Sequence, residues 1–319
     1  MGTDANTAAT DISVEETLRL ELALGDRSIA TTRPVLRHLL AGGNHSLLGD
    51  DIVARTRGCV TDCARLLLIE QARAASARDI GSYVQSRQPA FAQSLLLDAN
   101  IVAHAHAQVF EAALAERLRE RNGIDPVLAQ VLREAVIDGG EALAPDAMQV
   151  LTAQARFVQQ QKRMSMPPLE LPADLFHRAL VLLCAQAEGT DDEGPANAAG
   201  KSLRAIFDES AARIGQIARF LTGSKPESAL SLERAGLSIF VSAVAMASGE
   251  DRDIVLLSCA DGQFARLSLT LRAAGLAPDE VREQFLYLHP DIALPESVAA
   301  IDRGRARAML RSADPQAAL

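Results

Sequence analysis

The chain contains no tryptophan, and only 3% of it is aromatic. Proteins that bind single-stranded nucleic acid stack bases on aromatic rings, so that mode of binding is poorly supplied here. Lysine is scarce as well. Lys162, Lys201 and Lys225 are the only three among 32 basic residues, which leaves 29 arginines. With the heavy use of alanine, that is what a GC-rich bacterial coding sequence gives. Acidic residues outnumber basic ones, 41 to 32, for a formal net charge of −9. An acidic surface repels phosphate backbones and anionic lipids, so nucleic acid is a disfavoured partner. The four cysteines, Cys59, Cys63, Cys184 and Cys259, are too few for a disulfide framework. The longest apolar run, residues 236–247, falls well short of the ~20 residues a membrane helix needs, so no membrane association is expected. The opening "MGTDANTAATDISVEE" has neither the basic nor the apolar region of a secretory signal, and a cytoplasmic location is expected.

What is present is helix-forming sequence. Ala, Leu, Arg, Glu and Gln dominate, and no stretch alternates β-branched and polar residues with period two. The expected fold is all-α, an irregular helical array or stacked helical bundles with no sheet. Start signals recur. Ser13 and Glu16 form a capping-box pattern. Asp125 and Pro126 suggest another helix start, with Gly139 as its stop, and prolines at 145, 172, 226, 278 and 295 repeat the idea. The segment "EGTDDEGPANAAG" (188–200) is small, acidic and broken by Gly and Pro. It is expected to be a flexible acidic loop between a helical subdomain at 13–187 and another at 201–319, with a disordered tail over 1–12.

Within "IVAHAHAQVF" (101–110), His104 and His106 stand two apart. In a strand they would share a face, but in a helix they lie ~200° apart and cannot share a coordination shell. Ala103, Ala107, Phe110, Leu114 and Leu118 follow at helical spacing, which favours the helix and makes both histidines stripe-edge packing. His104 can then pair with Gln108 one turn on. Cys59 and Cys63 share a helix face and read as core rather than half of a zinc site. "EGPANAAGKSL" mimics a phosphate-binding loop, but its first glycine is one position too early and no strand precedes it. Asp191, Asp192 and Glu193 lack the spacing of a calcium loop. No GxSxG, HExxH or CxxC motif occurs, and no metal, cofactor or catalytic residue is assigned.

Residues 264–288 read as two helices meeting at Gly275, anchored by Leu271, Val281 and Phe285. A DNA-reading second helix needs basic and polar residues for bases and phosphates, and this one opens with Asp279 and Glu280. The longer stretch "LLSCADGQFARLSLTLRAAGLAPDEVREQFLYLHPD" resembles the closing helical pair of an uncharacterised group of bacterial, all-helical, HEAT-like proteins. That resemblance covers 256–291 and implies a helical array with no catalytic residue. The expected function is a non-enzymatic interaction scaffold or regulatory adaptor for an unidentified protein partner. Its groove is expected along the arginine-rich helix face of Arg117, Arg119 and Arg121. The alternatives are a DNA-binding regulator through 264–288, and a helical-bundle enzyme or cofactor binder that uses His104 or His106 with a distant carboxylate.

Overall fold

The computed structural model describes residues 15–27, 49–224, 226–294 and 301–313. Among them the fold is all-α, with fourteen helices and no strand. In chain order these are α1 (15–27), α2 (Asp50–Ala74), α3 (Ile80–Leu97), α4 (Ala99–Asn122), α5 (Gln130–Asp138) and α6 (Gly140–Lys162). Then follow α7 (Ala173–Ala187), α8 (Glu193–Ile206), α9 (Arg213–Ser224), α10 (Leu232–Ser248) and α11 (Arg252–Ser258). The last three are α12 (Phe264–Ala274), α13 (Pro278–Leu288) and α14 (Arg303–Ala313).

Two cores hold most of these helices, and α4 is common to both. Ile101, Ala105 and Val109 of α4 pack with α2, α3, α7 and α8. Ala107, Phe110, Leu114 and Leu118, on its other side, pack with α5, α6 and α9–α13. The single stripe expected from the sequence is therefore only one of two buried faces. A helix apolar on most sides belongs inside a fold. A third, smaller cluster joins Leu18 and Leu22 of α1 to Leu269 of α12 and Met309 of α14.

The acidic stretch 188–200 is not a loop. The chain turns over 188–192 and α8 starts at Glu193. Its small residues form a close-packing face: Ala196, Ala199, Gly200 and Leu203 are buried, and a Cβ on Gly200 would lie 3.9 Å from Sγ of Cys184 in α7. The composition that suggests a linker is what lets this helix sit tightly in the first core. The cores consequently do not divide at 188–200. α8 completes the first, whereas α5 and α6, earlier in sequence, belong to the second.

Prolines mark helix starts unevenly. Pro278 occupies the first turn of α13 and Pro172 caps α7, as expected. Pro226 opens a short 3-10 turn. Pro145 lies inside α6, which begins at Gly140 with φ +61°. Asp125 does not cap α5; its Oδ1 accepts the Val127 and Leu128 amides at 2.7 and 2.8 Å and makes a turn ahead of a helix that starts at Gln130. Ser13, Pro295 and the 1–12 tail lie outside the described residues. The apolar run 236–247 belongs to α10, in the middle of the second core, and α10 kinks at Gly236 (φ +66°). No helix among the described residues is long and apolar enough to cross a membrane.

Candidate functional site: a cavity over a buried ion network

Glu111 is the one acidic residue on the buried side of α4, and no part of it reaches solvent. Arg213, at the start of α9, closes on it with two hydrogen bonds of 2.7 and 2.9 Å. Arg252, at the start of α11, donates from Nη2 at 3.0 Å. Ser238 of α10 donates its hydroxyl at 2.5 Å. Arg213 also donates to Gln154 at 3.1 Å, and its guanidinium stacks 3.7 Å above the Phe157 ring. Arg252 donates Nε–H to Ser242 at 2.9 Å. Burial alone would push the Glu111 carboxyl up. The two guanidiniums outweigh that and hold it well below the usual carboxylate range. Four elements, α4, α9, α10 and α11, thus converge on one carboxylate, its lone pairs matched by two guanidiniums and a hydroxyl, and α6 holds Arg213 in place.

A cavity of about 460 Å³ opens above this network. Leu171, Ile214 and Ala218 give it apolar walls. Its polar lining is Glu170, Glu209, Ser210, Asp251, Asp253, Arg252 and His104. The N-termini of α7, α9 and α11 meet here, and each is capped by a carboxylate of the lining. Glu209 accepts the Ala173 amide at 3.0 Å, and Glu170 accepts the Arg213 amide at 2.9 Å. Asp251 accepts the Asp253 and Ile254 amides at 2.9 and 3.1 Å. Four carboxylates against one guanidinium give the lining a formal charge of −3. Three helix N-termini return roughly half a positive charge each. The cavity stays net negative.

His104 lines this cavity and His106 does not. Gln108 donates its amide N–H to Nε2 of His104 at 2.7 Å, the pairing expected from the sequence. That leaves the proton on Nδ1, which faces Asp253 at 3.4 Å. Burial would raise the Asp253 carboxyl, but the His104 hydrogen bond and the nearby Arg252 hold it lower than usual. His106 is buried in the helix packing, with 1% of its surface exposed. The two histidines form no shared site. Among the described residues no group of three or more His, Cys, Asp or Glu is placed to hold a metal ion. Cys59 and Cys63 are core residues, and burial pushes their thiols up to about 11 and about 12.

Arg117, Arg119 and Arg121 line neither this cavity nor a smaller one between α4 and α6. Arg117 faces Asp261 at 3.9 Å, Arg119 pairs with Glu116 at 2.5 Å, and Arg121 donates to the Tyr287 carbonyl. Each is engaged within the chain. The residues that build the site instead, Glu111, Arg213, Arg252 and Asp253, carry almost no local signal. The exception is Glu111, which interrupts an otherwise apolar helix face between Ala107 and Leu114.

No protein-family model, curated protein or solved structure matches the chain.

Proposed function

We propose that the protein is a non-enzymatic binding protein, a regulatory adaptor that receives a basic group of a protein partner in the cavity above Glu111. The net-negative, apolar-walled concavity carries this reading: a cation with an aliphatic or planar stem, such as an arginine or lysine side chain, matches both its charge and its walls. Arg252 is shared between Glu111 at 3.0 Å and Asp253 at 3.9 Å, and Arg156 pairs with Glu170 at 2.8 Å, so the excess negative charge is that of Glu209 and Asp251, whose carboxylates accept backbone amides. His104 does not serve as a general base in this arrangement, because Gln108 occupies the lone pair of Nε2. The same reading puts the protein in the cytoplasm, in keeping with four free cysteines, three of them buried.

The test uses fluorescence anisotropy with labelled hexapeptides that carry basic, neutral or acidic residues on an otherwise apolar sequence. Basic peptides bind, and binding weakens as salt rises. Equal binding of acidic peptides, or no binding of basic ones, defeats the proposal.

The α12–α13 pair does not favour the DNA-binding alternative. α12 is buried along most of its length, the first turn of α13 presents Asp279 and Glu280, and Arg282 pairs with Asp279. The test of that alternative is salt-sensitive retention of mixed genomic fragments.

A further inference from the structure

Carbonyls from the last turns of α10 and α12 come together against α14. Arg303 and Arg307, one turn apart on α14, both reach them. Nε of Arg303 donates to the Ala273 oxygen at 3.1 Å, and Nε of Arg307 donates to the same atom at 3.2 Å. Their Nη2 groups share the Ala247 oxygen at 3.3 and 2.7 Å. Two guanidiniums that hold one pair of oxygens lie side by side. Arg272, in the last turn of α12, donates nearby to the Ile301 and Leu276 carbonyls. Gly275 leaves room for the cluster, since a Cβ there would lie 3.4 Å from Cζ of Arg303.

Capping two helix C-termini accounts for the Nε–Nη2 edge of each guanidinium. The Nη1–Nη2 edges of Arg303 and Arg307 are left over. Arg303 is exposed, and Nη1 of the half-buried Arg307 reaches solvent. Charge is left over as well. Among the described residues none of the three arginines is ion-paired, whereas Arg305 between them pairs with Glu15. Asp302 is taken up as the cap of α14, where it accepts the Arg305 amide at 2.9 Å. Three guanidiniums against two helix C-termini of roughly half a negative charge each leave about two positive charges.

We infer that this cluster binds a phosphomonoester-type dianion. A tetrahedral oxyanion offers oxygens to both free edges at once and matches the excess charge, whereas a carboxylate fills a single fork. The inference does not depend on what the cavity above Glu111 takes.

Titration calorimetry on the full chain tests it near pH 8, where the phosphate is a dianion, and at constant ionic strength. The probes are inorganic phosphate, acetate and a phosphoserine hexapeptide. Phosphate binds about tenfold more tightly than acetate, the value of one further charge-assisted contact. Arg307→Lys, confirmed as folded by circular dichroism, keeps the charge, loses the fork and weakens phosphate about tenfold. Arg305→Lys leaves phosphate binding unchanged. A phosphoserine peptide that binds more tightly than phosphate supports the site and assigns it to a phosphorylated partner; one that binds no more tightly assigns it to a free phosphate compound. The proposal is overturned if phosphate fails to bind below about 10 mM, if acetate binds equally well, if Arg307→Lys binds phosphate as the wild type does, or if Arg305→Lys weakens it as much as Arg307→Lys.

Discussion

Arg213 and Glu111, 102 residues apart in sequence, face each other through two parallel hydrogen bonds of 2.7 and 2.9 Å with almost no access to water. Taking both ions out of water costs several kcal/mol each, and only matched partners offset it. Removing one partner should therefore cost more than the pair contributes. Glu111→Leu leaves Arg213 and Arg252 buried without their carboxylate and is expected to destabilise the fold by about 3–5 kcal/mol. Urea unfolding of wild type and variant measures this. A loss below about 1 kcal/mol would mean that the network relaxes into water.

The same carboxylate sets an acid limit. Its value in the fold lies below the ordinary 4.5 of the unfolded chain. Its contribution is fully present above that ordinary value and is lost as pH falls through it toward the folded value. Stability from this group is flat between neutral pH and about 5 and declines below about 4.5. Denaturant midpoints for wild type and Glu111→Gln, taken from pH 6 down to pH 3, should converge.

His289 gives a second slope in a different range. Burial holds it below its ordinary 6.5, and Arg117 and Arg121 push the same way against Asp261, 3.3 Å from Nδ1. The unfolded chain then takes up the proton first, so stability falls as pH drops through 6.5. His289→Gln should flatten the Tm-against-pH curve between pH 7.5 and 5.5. An unchanged curve would place the titration elsewhere.

Gly215 lines the larger cavity, and a Cβ there would lie 2.4 Å from the Glu209 carbonyl oxygen. The clash is with backbone, so the turn carrying Glu209 must shift. Gly215→Ala is expected to cost about 1–3 kcal/mol in thermal or urea unfolding and to weaken basic-peptide binding at the same time.

What could be read from the sequence was local. The α12–α13 hairpin followed from Gly275, which takes φ +109° as the left-handed cap, and from anchors Val281 and Phe285 ten or fewer positions away. The His104–Gln108 pair followed from one helical turn. α8 is not legible in the sequence because Gly194, Pro195 and Gly200 signal a loop when nothing shows the helix face that Gly200 packs against. The ion network was illegible because its members are separated by 102 and 141 residues. The partners of Arg117 and Arg121, Asp261 and Tyr287, are equally remote and equally illegible, whereas Arg119 pairs with Glu116 one turn away.

The claim that a basic group docks above Glu111 is tested most directly by removing charge from the cavity while keeping its hydrogen bonds. In Glu170→Gln/Glu209→Gln the amide oxygens still accept the Arg213 and Ala173 amides, and the lining falls from −3 toward −1. Anisotropy with the tightest basic hexapeptide should show at least a tenfold rise in Kd, with unchanged folding and a shallower dependence on salt. An unchanged Kd would contradict the account.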